Sequence, residues 1–366
     1  MAQIHGCESV EIASDQVRVH VTLVGGMSTA VFQVEGREVS PYSLSPWKPS
    51  EVSPDLPGLL RVLRGEFLCL PFGPQTDGPP HGAGANEEWS VKSHDATSLD
   101  LAMHAADTGA SLVKSYQVRE GESAIYYDYR ISGLSGSWSY GTHPILDASK
   151  LPEGSARVSV SPFRMASVYP GWFSNPDAGE RQALQPSARF DDLTAVPLLA
   201  GGTTDLTRWP ARRGFDDLVM MVNEPATESQ PFAWSAVVMD GYVWIALKSP
   251  ADFPATLFWM SNGGRDAEPW NGRHLGRIGI EEVCSHFCDS VDRSREDLLA
   301  NEGIPTTREF HAHETCRLGM IHLVASVPKG FDLVKSVTPV GDSTVRITDS
   351  HGTQVESSVN WKHLFT

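Results

Sequence analysis

Three short segments carry residue types that can move protons. "GPPHGAGANEEW" (78–89) sets His81 among prolines and glycines, with two carboxylates and Trp89 directly after it. "YGTHPILDASK" (140–150) sets His143 between a Gly-Thr and Pro144. "RIGIEEVCSHF" (277–287) ends an apolar run at Glu281 and Glu282. Taken singly, each has a plainer explanation: a loop histidine is more often a hydrogen-bonded structural residue, and a Glu pair after a strand is usually a solvated edge. Together, two imidazoles that titrate near neutrality and one carboxylate suffice to add a proton at one end of a small substrate and remove one at the other.

Metal chemistry has weaker support. "CSHFC" places Cys284, His286 and Cys288 close together, but a zinc site needs about four ligands, usually from two spaced pairs, and no second pair is visible. "HAHET" puts His311 and His313 on one face if the segment is a strand, a spacing compatible with a metal; a surface position is the favoured alternative. No metal and no cofactor is expected.

Composition narrows the partners. The chain has 366 residues, 40% of them hydrophobic, enough for a sizeable core. Lys and Arg total 29 against 45 Asp and Glu, a formal charge of −16. Nucleic-acid affinity comes largely from cations that neutralise phosphates, so that balance argues against such a partner and suits a neutral small molecule. No apolar run approaches the ~20 residues of a membrane span. The opening "MAQIHGCESVEIASDQ" lacks a basic n-region and an apolar h-region, so the five cysteines are expected as reduced thiols in the cytoplasm.

The elements that must position these residues are strands. Period-two alternation runs through "QVRVHVTLV", "AIYYDYRI", "RVSVSPF", "DDLVMMV", "AWSAVVM", "YVWIALK", "ATLFWMS", "GMIHLVAS" and "STVRITD". "MDGYVW" reads as a tight hairpin at Asp240-Gly241, and "DSHGT" as a second. Helical signal is confined to "SREDLLANEG", with Ser294 and Asp297 as a capping box and Gly303 as the stop. No linker, repeat, P-loop, dinucleotide fingerprint or nucleophile elbow interrupts the pattern. The expectation is an all-β chain: one large antiparallel β-sandwich spanning residues 1–366, with few short helices and long loops.

The order of the motifs resembles the aldose 1-epimerase (galactose mutarotase-like) superfamily, including its hexose-phosphate mutarotase branch. "LRGEFLCLPFG" leads to the His-Gly loop and then a Trp, so that Arg64, Gly65, Pro71, Phe72, Gly73, His81, Gly82 and Trp89 match in order. His143-Pro144 matches the family's His-Pro motif, and "GIEE" resembles the short strand that ends in its catalytic Glu. The likeness runs over roughly residues 15–335.

The resemblance implies interconversion of α and β anomers through ring opening. Glu281 would be the base at the C1 hydroxyl and His143 the acid at the ring oxygen. His81 and Arg64 would contact the sugar, Trp89 and Trp270 would stack on it, and a mid-chain Asp, taken as Asp216 in preference to Asp217, would grip its hydroxyls. Relatives with a phosphate carry an Arg where this chain has Ala85, which weakens a phosphosugar assignment. Glu282 stands where Pro is common and leaves the base ambiguous by one position; on a strand only one of the two can face a given side. A non-catalytic sugar-binding protein, or another sugar-processing enzyme on the same scaffold, remains open.

Overall fold

A computed structural model describes residues 2–366. Antiparallel sheets dominate it and the three α-helices are five residues or shorter. The two largest sheets lie face to face. One has nine strands, in the spatial order Arg208–Trp209, Ala156–Val160, Ala233–Met239, Tyr242–Lys248, Thr315–Ser326, Ala124–Ser132, Ala110–Val118, Ser98–Ala105 and Ser90–His94. The other has eight, among them Phe163–Val168, Asp216–Asn223, Ala255–Ser261 and Arg277–Cys284 in consecutive pairing. A five-stranded meander of residues 2–39 packs into the same core, and a three-stranded sheet of residues 334–358 covers the outer face of the nine-stranded sheet.

Burial follows from the pleat. In Arg277–Cys284, Ile278, Ile280 and Cys284 point between the two large sheets, whereas Val283 points to the other face, into a second apolar cluster under the loops. The strand is buried on both sides, which is why it reads as a run rather than as clean alternation. The expected hairpins form: Met239 pairs with Tyr242 across Asp240-Gly241, and Thr348 pairs with Gln354 across the second turn.

The expected helix is corrected. Val291–Arg295 is the helix, capped by Ser290, whose hydroxyl accepts from the Arg293 N–H, and a separate 3-10 turn, Ala300–Glu302, ends at Gly303. Ser294 is not the cap; it lies inside the helix, and its hydroxyl accepts from the His286 N–H at 3.2 Å. Asp297 takes a left-handed φ of 54° and separates the two turns.

Two ion pairs are fully buried in this sandwich. Lys114 meets Glu66 at 2.8 Å, and Glu66 also accepts from the Tyr129 hydroxyl at 2.7 Å. Lys248 meets Glu282, which also accepts from Ser235 at 2.6 Å and Thr256 at 2.8 Å. Removing one partner of such a pair strands a charge in the interior. Lys248→Met is therefore expected to lower unfolding free energy by about 3–5 kcal/mol. The double variant Lys248→Met/Glu282→Leu should recover most of that loss in urea titrations, and an equally unstable double variant would contradict the account.

Candidate active site

The pleat separates the two glutamates that the sequence left ambiguous. Glu282 pairs in register with Thr256 and Thr142 and points into the sandwich toward Lys248. Glu281 points the opposite way, into a cavity of about 380 Å³ beneath the loops. Gly279, two residues earlier on the same face, makes room for it: a Cβ there would stand 2.7 Å from the Glu281 carboxylate.

His143 reaches the same point by strand geometry. The short strands Tyr140–Thr142 and Ile145–Asp147 both pair with Arg277–Cys284, leaving His143-Pro144 between them, opposite Ile280 and Glu281. The Pro144 carbonyl accepts from Ile280 N–H at 2.8 Å, and His143 N–H donates to the Phe67 carbonyl at 3.0 Å. His143 Nε2 lies 3.1 Å from Glu281 Oε1. Its Nδ1 has no hydrogen-bond partner; the ring is held by stacking on Phe67, centroids 4.7 Å apart and 18° from parallel.

His81 approaches from the glycine-rich loop. Its backbone is left-handed, with φ 63°, and its N–H donates to the Gly73 carbonyl at 2.8 Å. The Gly73 N–H donates to His81 Nδ1 at 3.2 Å, so the neutral ring carries its proton on Nε2. The ring meets His143 edge to face at 5.3 Å. Gly82 lets the loop lie this close, since a Cβ there would sit 2.0 Å from the Leu70 carbonyl oxygen.

Aromatic rings and one cation complete the wall. Arg265 lies over Phe173, Trp270 and Trp259, its guanidinium carbon 5.0, 5.2 and 5.6 Å from the ring centroids. Carboxylates of Asp216 and Glu180 flank it at 3.5 and 3.6 Å. On another side Asp289 is fixed by the Tyr169 hydroxyl at 2.6 Å and by His286 Nδ1 at 2.7 Å.

Burial dominates the protonation states. It raises Glu281 to about 8, against a smaller downward pull from Arg265. It pushes His143 well below its ordinary value, and a like charge on His81 would push it further. It lowers His81 to about 4. Near neutrality the Glu281–His143 pair therefore shares one titratable proton and has no net charge.

The structure thus brings His81, His143, Glu281 and Trp270 to one cavity, and it places three other expected contacts elsewhere. Arg64 is buried beneath the amino-terminal strands, where its guanidinium donates to Val62 O, Ile4 O and Cys7 Sγ at 2.8–2.9 Å. Trp89 is core; its indole N–H donates to Gly84 O at 2.8 Å. Asp216 does not line the cavity but accepts from the Gly264 and Asn262 N–H groups, so it shapes the loop that carries Arg265. Asp217 accepts from Ala183 and Leu184 N–H and is equally distant from a hydroxyl-gripping role. Arg265, Asp289 and Tyr169 were not anticipated. Their only local signal is the Gly263-Gly264 turn before Arg265, which marks a loop and not its contents.

Among the described residues no group of three or more His, Cys, Asp or Glu side chains is arranged to hold a metal ion. His286 is engaged with Asp289, Cys288 faces the cavity, and His311 and His313 are exposed on a turn. No helix is long and apolar enough to cross a membrane.

No family model matches this chain, and neither does any curated protein. Solved structures do match. A galactose mutarotase related enzyme from Lactobacillus acidophilus superimposes with a TM-score of 0.55 at 11% identity, over 88% of this chain and 99% of that one. A candidate aldose 1-epimerase from Escherichia coli K12 gives 0.58 at 14% identity, over 87% and 99%. A galactose mutarotase-like protein from Lactobacillus casei gives 0.53 at 14%, over 87% and 100%. The chain has the galactose mutarotase-like fold.

A raised carboxyl value ties stability to pH. Between the ordinary carboxyl range and about 8, folded Glu281 keeps a proton that the unfolded chain has lost, so its contribution to stability falls as pH rises. Glu281→Gln removes that titration. Its unfolding free energy relative to wild type should increase from pH 5 to 8, by at most ~1.4 kcal/mol per pH unit. A difference independent of pH in matched denaturant titrations would show that Glu281 ionises freely.

Proposed function

We propose that this protein is an aldose 1-epimerase-type isomerase that interconverts the α and β anomers of a sugar. The observation that carries the proposal is the buried His143–Glu281 pair, 3.1 Å apart on the floor of an aromatic-walled cavity. Ring opening needs a base at the C1 hydroxyl and an acid at the ring oxygen, two atoms held on the same carbon and so close enough for one such pair to serve both.

In the reactive form the pair's one proton sits on His143, and Glu281, as the carboxylate, takes the proton from the C1 hydroxyl. The C1–O5 bond breaks, its electron pair goes to O5, and His143 delivers a proton there. Rotation about C1–C2 in the open aldehyde presents the other carbonyl face, and closure runs the two transfers in reverse. The pair begins and ends each half with one proton in total, so no external acid, oxidant or metal is needed to balance the step. His81, neutral with Nε2–H, donates to a neighbouring sugar oxygen. Trp270 offers an apolar face to the pyranose C–H groups, and Arg265 and Asp289 supply a donor and an acceptor for hydroxyls.

Anomer exchange of a sugar panel, followed by NMR or polarimetry, tests this. His143→Ala and Glu281→Gln should each slow exchange by roughly 10²–10⁴-fold while binding persists. Binding by wild type without acceleration of any sugar would leave a non-catalytic sugar-binding protein instead. The pH profile carries a second expectation. The last shared proton leaves as pH rises through about 8, so kcat/KM should fall above that value and be flat below it toward the acid limit. A rate that keeps climbing above pH 9 would rule out the one-proton pair.

A further inference from the structure

His143 and Glu281 are buried on the floor of the cavity. Its mouth is different. Trp172 lines it and is 57% exposed, the largest fraction among the exposed large hydrophobic residues of the described chain. Exposed Pro74 and half-buried Leu60 and Pro80 also line the cavity. Among the described residues no aromatic ring or cation stacks on the Trp172 indole, in contrast to Trp259 and Trp270, each packed against rings and Arg265.

The backbone under Trp172 is nevertheless pinned on both sides. Tyr169 N–H donates to Leu218 O at 3.0 Å. The Gln182 side chain accepts from Phe173 N–H at 2.9 Å and from Ser174 N–H at 3.3 Å, and the Ser174 hydroxyl donates to Asp216 O at 2.7 Å. The backbone that carries the indole is thus held at the rim of the cavity, while the indole itself is left uncovered and forgoes the burial that most large apolar side chains gain.

We propose that Trp172 forms a second subsite at the mouth, stacking on a second pyranose, so that the ligand is a reducing disaccharide rather than a free monosaccharide. This rests on the proposal that the reducing ring sits at His143 and Glu281. With that ring on the floor, a glycosidic substituent leaves toward the opening, where the Trp172 indole is the most exposed of the aromatic rings that line the cavity. The cavity, about 380 Å³ before the mouth widens into solvent, falls in the ~300–1,000 Å³ range that encloses drug-sized ligands.

The test compares anomer exchange of maltose, lactose and cellobiose with that of glucose and galactose, for wild type, Trp172→Ala and Trp172→Phe. Wild type should favour at least one disaccharide by about tenfold in kcat/KM, the worth of one good stacking contact. Trp172→Ala should erase the preference through KM while leaving monosaccharide exchange within about twofold, and Trp172→Phe, which keeps a flat ring, should restore most of it. Equal kcat/KM for both sugar classes, or a preference that survives in Trp172→Ala, overturns the subsite. If wild type accelerates no sugar, the isomerase proposal fails, and saturation-transfer NMR then judges the subsite separately. Transfer to the non-reducing ring that is lost in Trp172→Ala supports it, and absence of such transfer in wild type overturns it.

Discussion

Two adjacent carboxylates on a strand buried on both faces impose the constraint on which this site depends. The pleat sends Glu281 and Glu282 to opposite sides, and neither side is water. Glu282 is made tolerable by Lys248 and Ser235 from the facing sheet and by Thr256 on the neighbouring strand, so a charge pair ties the two large sheets together. Glu281 receives no such neutralising lysine. Its neighbours are an imidazole, aromatic rings and, further off, Arg265. The same desolvation that one glutamate escapes by pairing is left acting on the other, and it converts an ordinary carboxyl into one that holds its proton to about pH 8. An isolated buried carboxylate is hard to keep ionised; one poised near neutrality is a competent base and, in the reverse direction, a competent acid.

The floor around that carboxyl is fixed by backbone more than by side chains. His143 sits in a gap between two short strands that share Arg277–Cys284 as partner, so its register opposite Glu281 is set by sheet pairing. Phe67, which stacks on its ring and accepts its N–H, follows Glu66, the residue anchored in the core by Lys114 and Tyr129. The two buried ion pairs therefore stand behind the two walls that meet at His143 and Glu281. Buried pairs of this kind are weak evidence for stability, since well-packed apolar substitutes often do as well. Their place here is between the walls of the site: Lys248–Glu282 lies directly behind Glu281, and Lys114–Glu66 directly behind Phe67.

Legibility from the sequence followed the same division. The strands were readable because alternation and hairpin turns are local properties, and His81, His143 and Glu281 were readable because motif order placed them at strand ends and tight turns. Glu281 over Glu282 was not decidable without knowing which face held Lys248, 34 residues away in the chain. Arg64 and Trp89 belong to the motif that leads to the site, yet their side chains turn to the amino-terminal strands and the core, where they hold the loop rather than touch its ligand. Arg265, Asp289, Tyr169 and Trp172 come from irregular segments in which no periodicity says which way a side chain faces. The helix was misplaced by one turn because Ser290 and Ser294 are both competent caps, and burial of Ser294 against His286 decided between them.

Charge balance in the cavity bears on what it can hold. Arg265 is a cation on the wall, which taken alone would invite an anionic sugar. It is already flanked by the carboxylates of Asp216 and Glu180, at 3.5 and 3.6 Å. Asp216 is itself bound to the Gly264 and Asn262 N–H groups, so it is not free to swing away when a ligand enters. A phosphate dianion would meet a guanidinium whose charge is largely spoken for, next to a carboxyl that would be pushed still further toward its protonated form. A neutral sugar avoids both penalties: it can use the Arg265 N–H groups as donors without asking for net positive charge, and it leaves the one-proton balance of His143 and Glu281 undisturbed. Ala85 adds nothing to that charge balance, because it is fully buried in the apolar cluster under the loops.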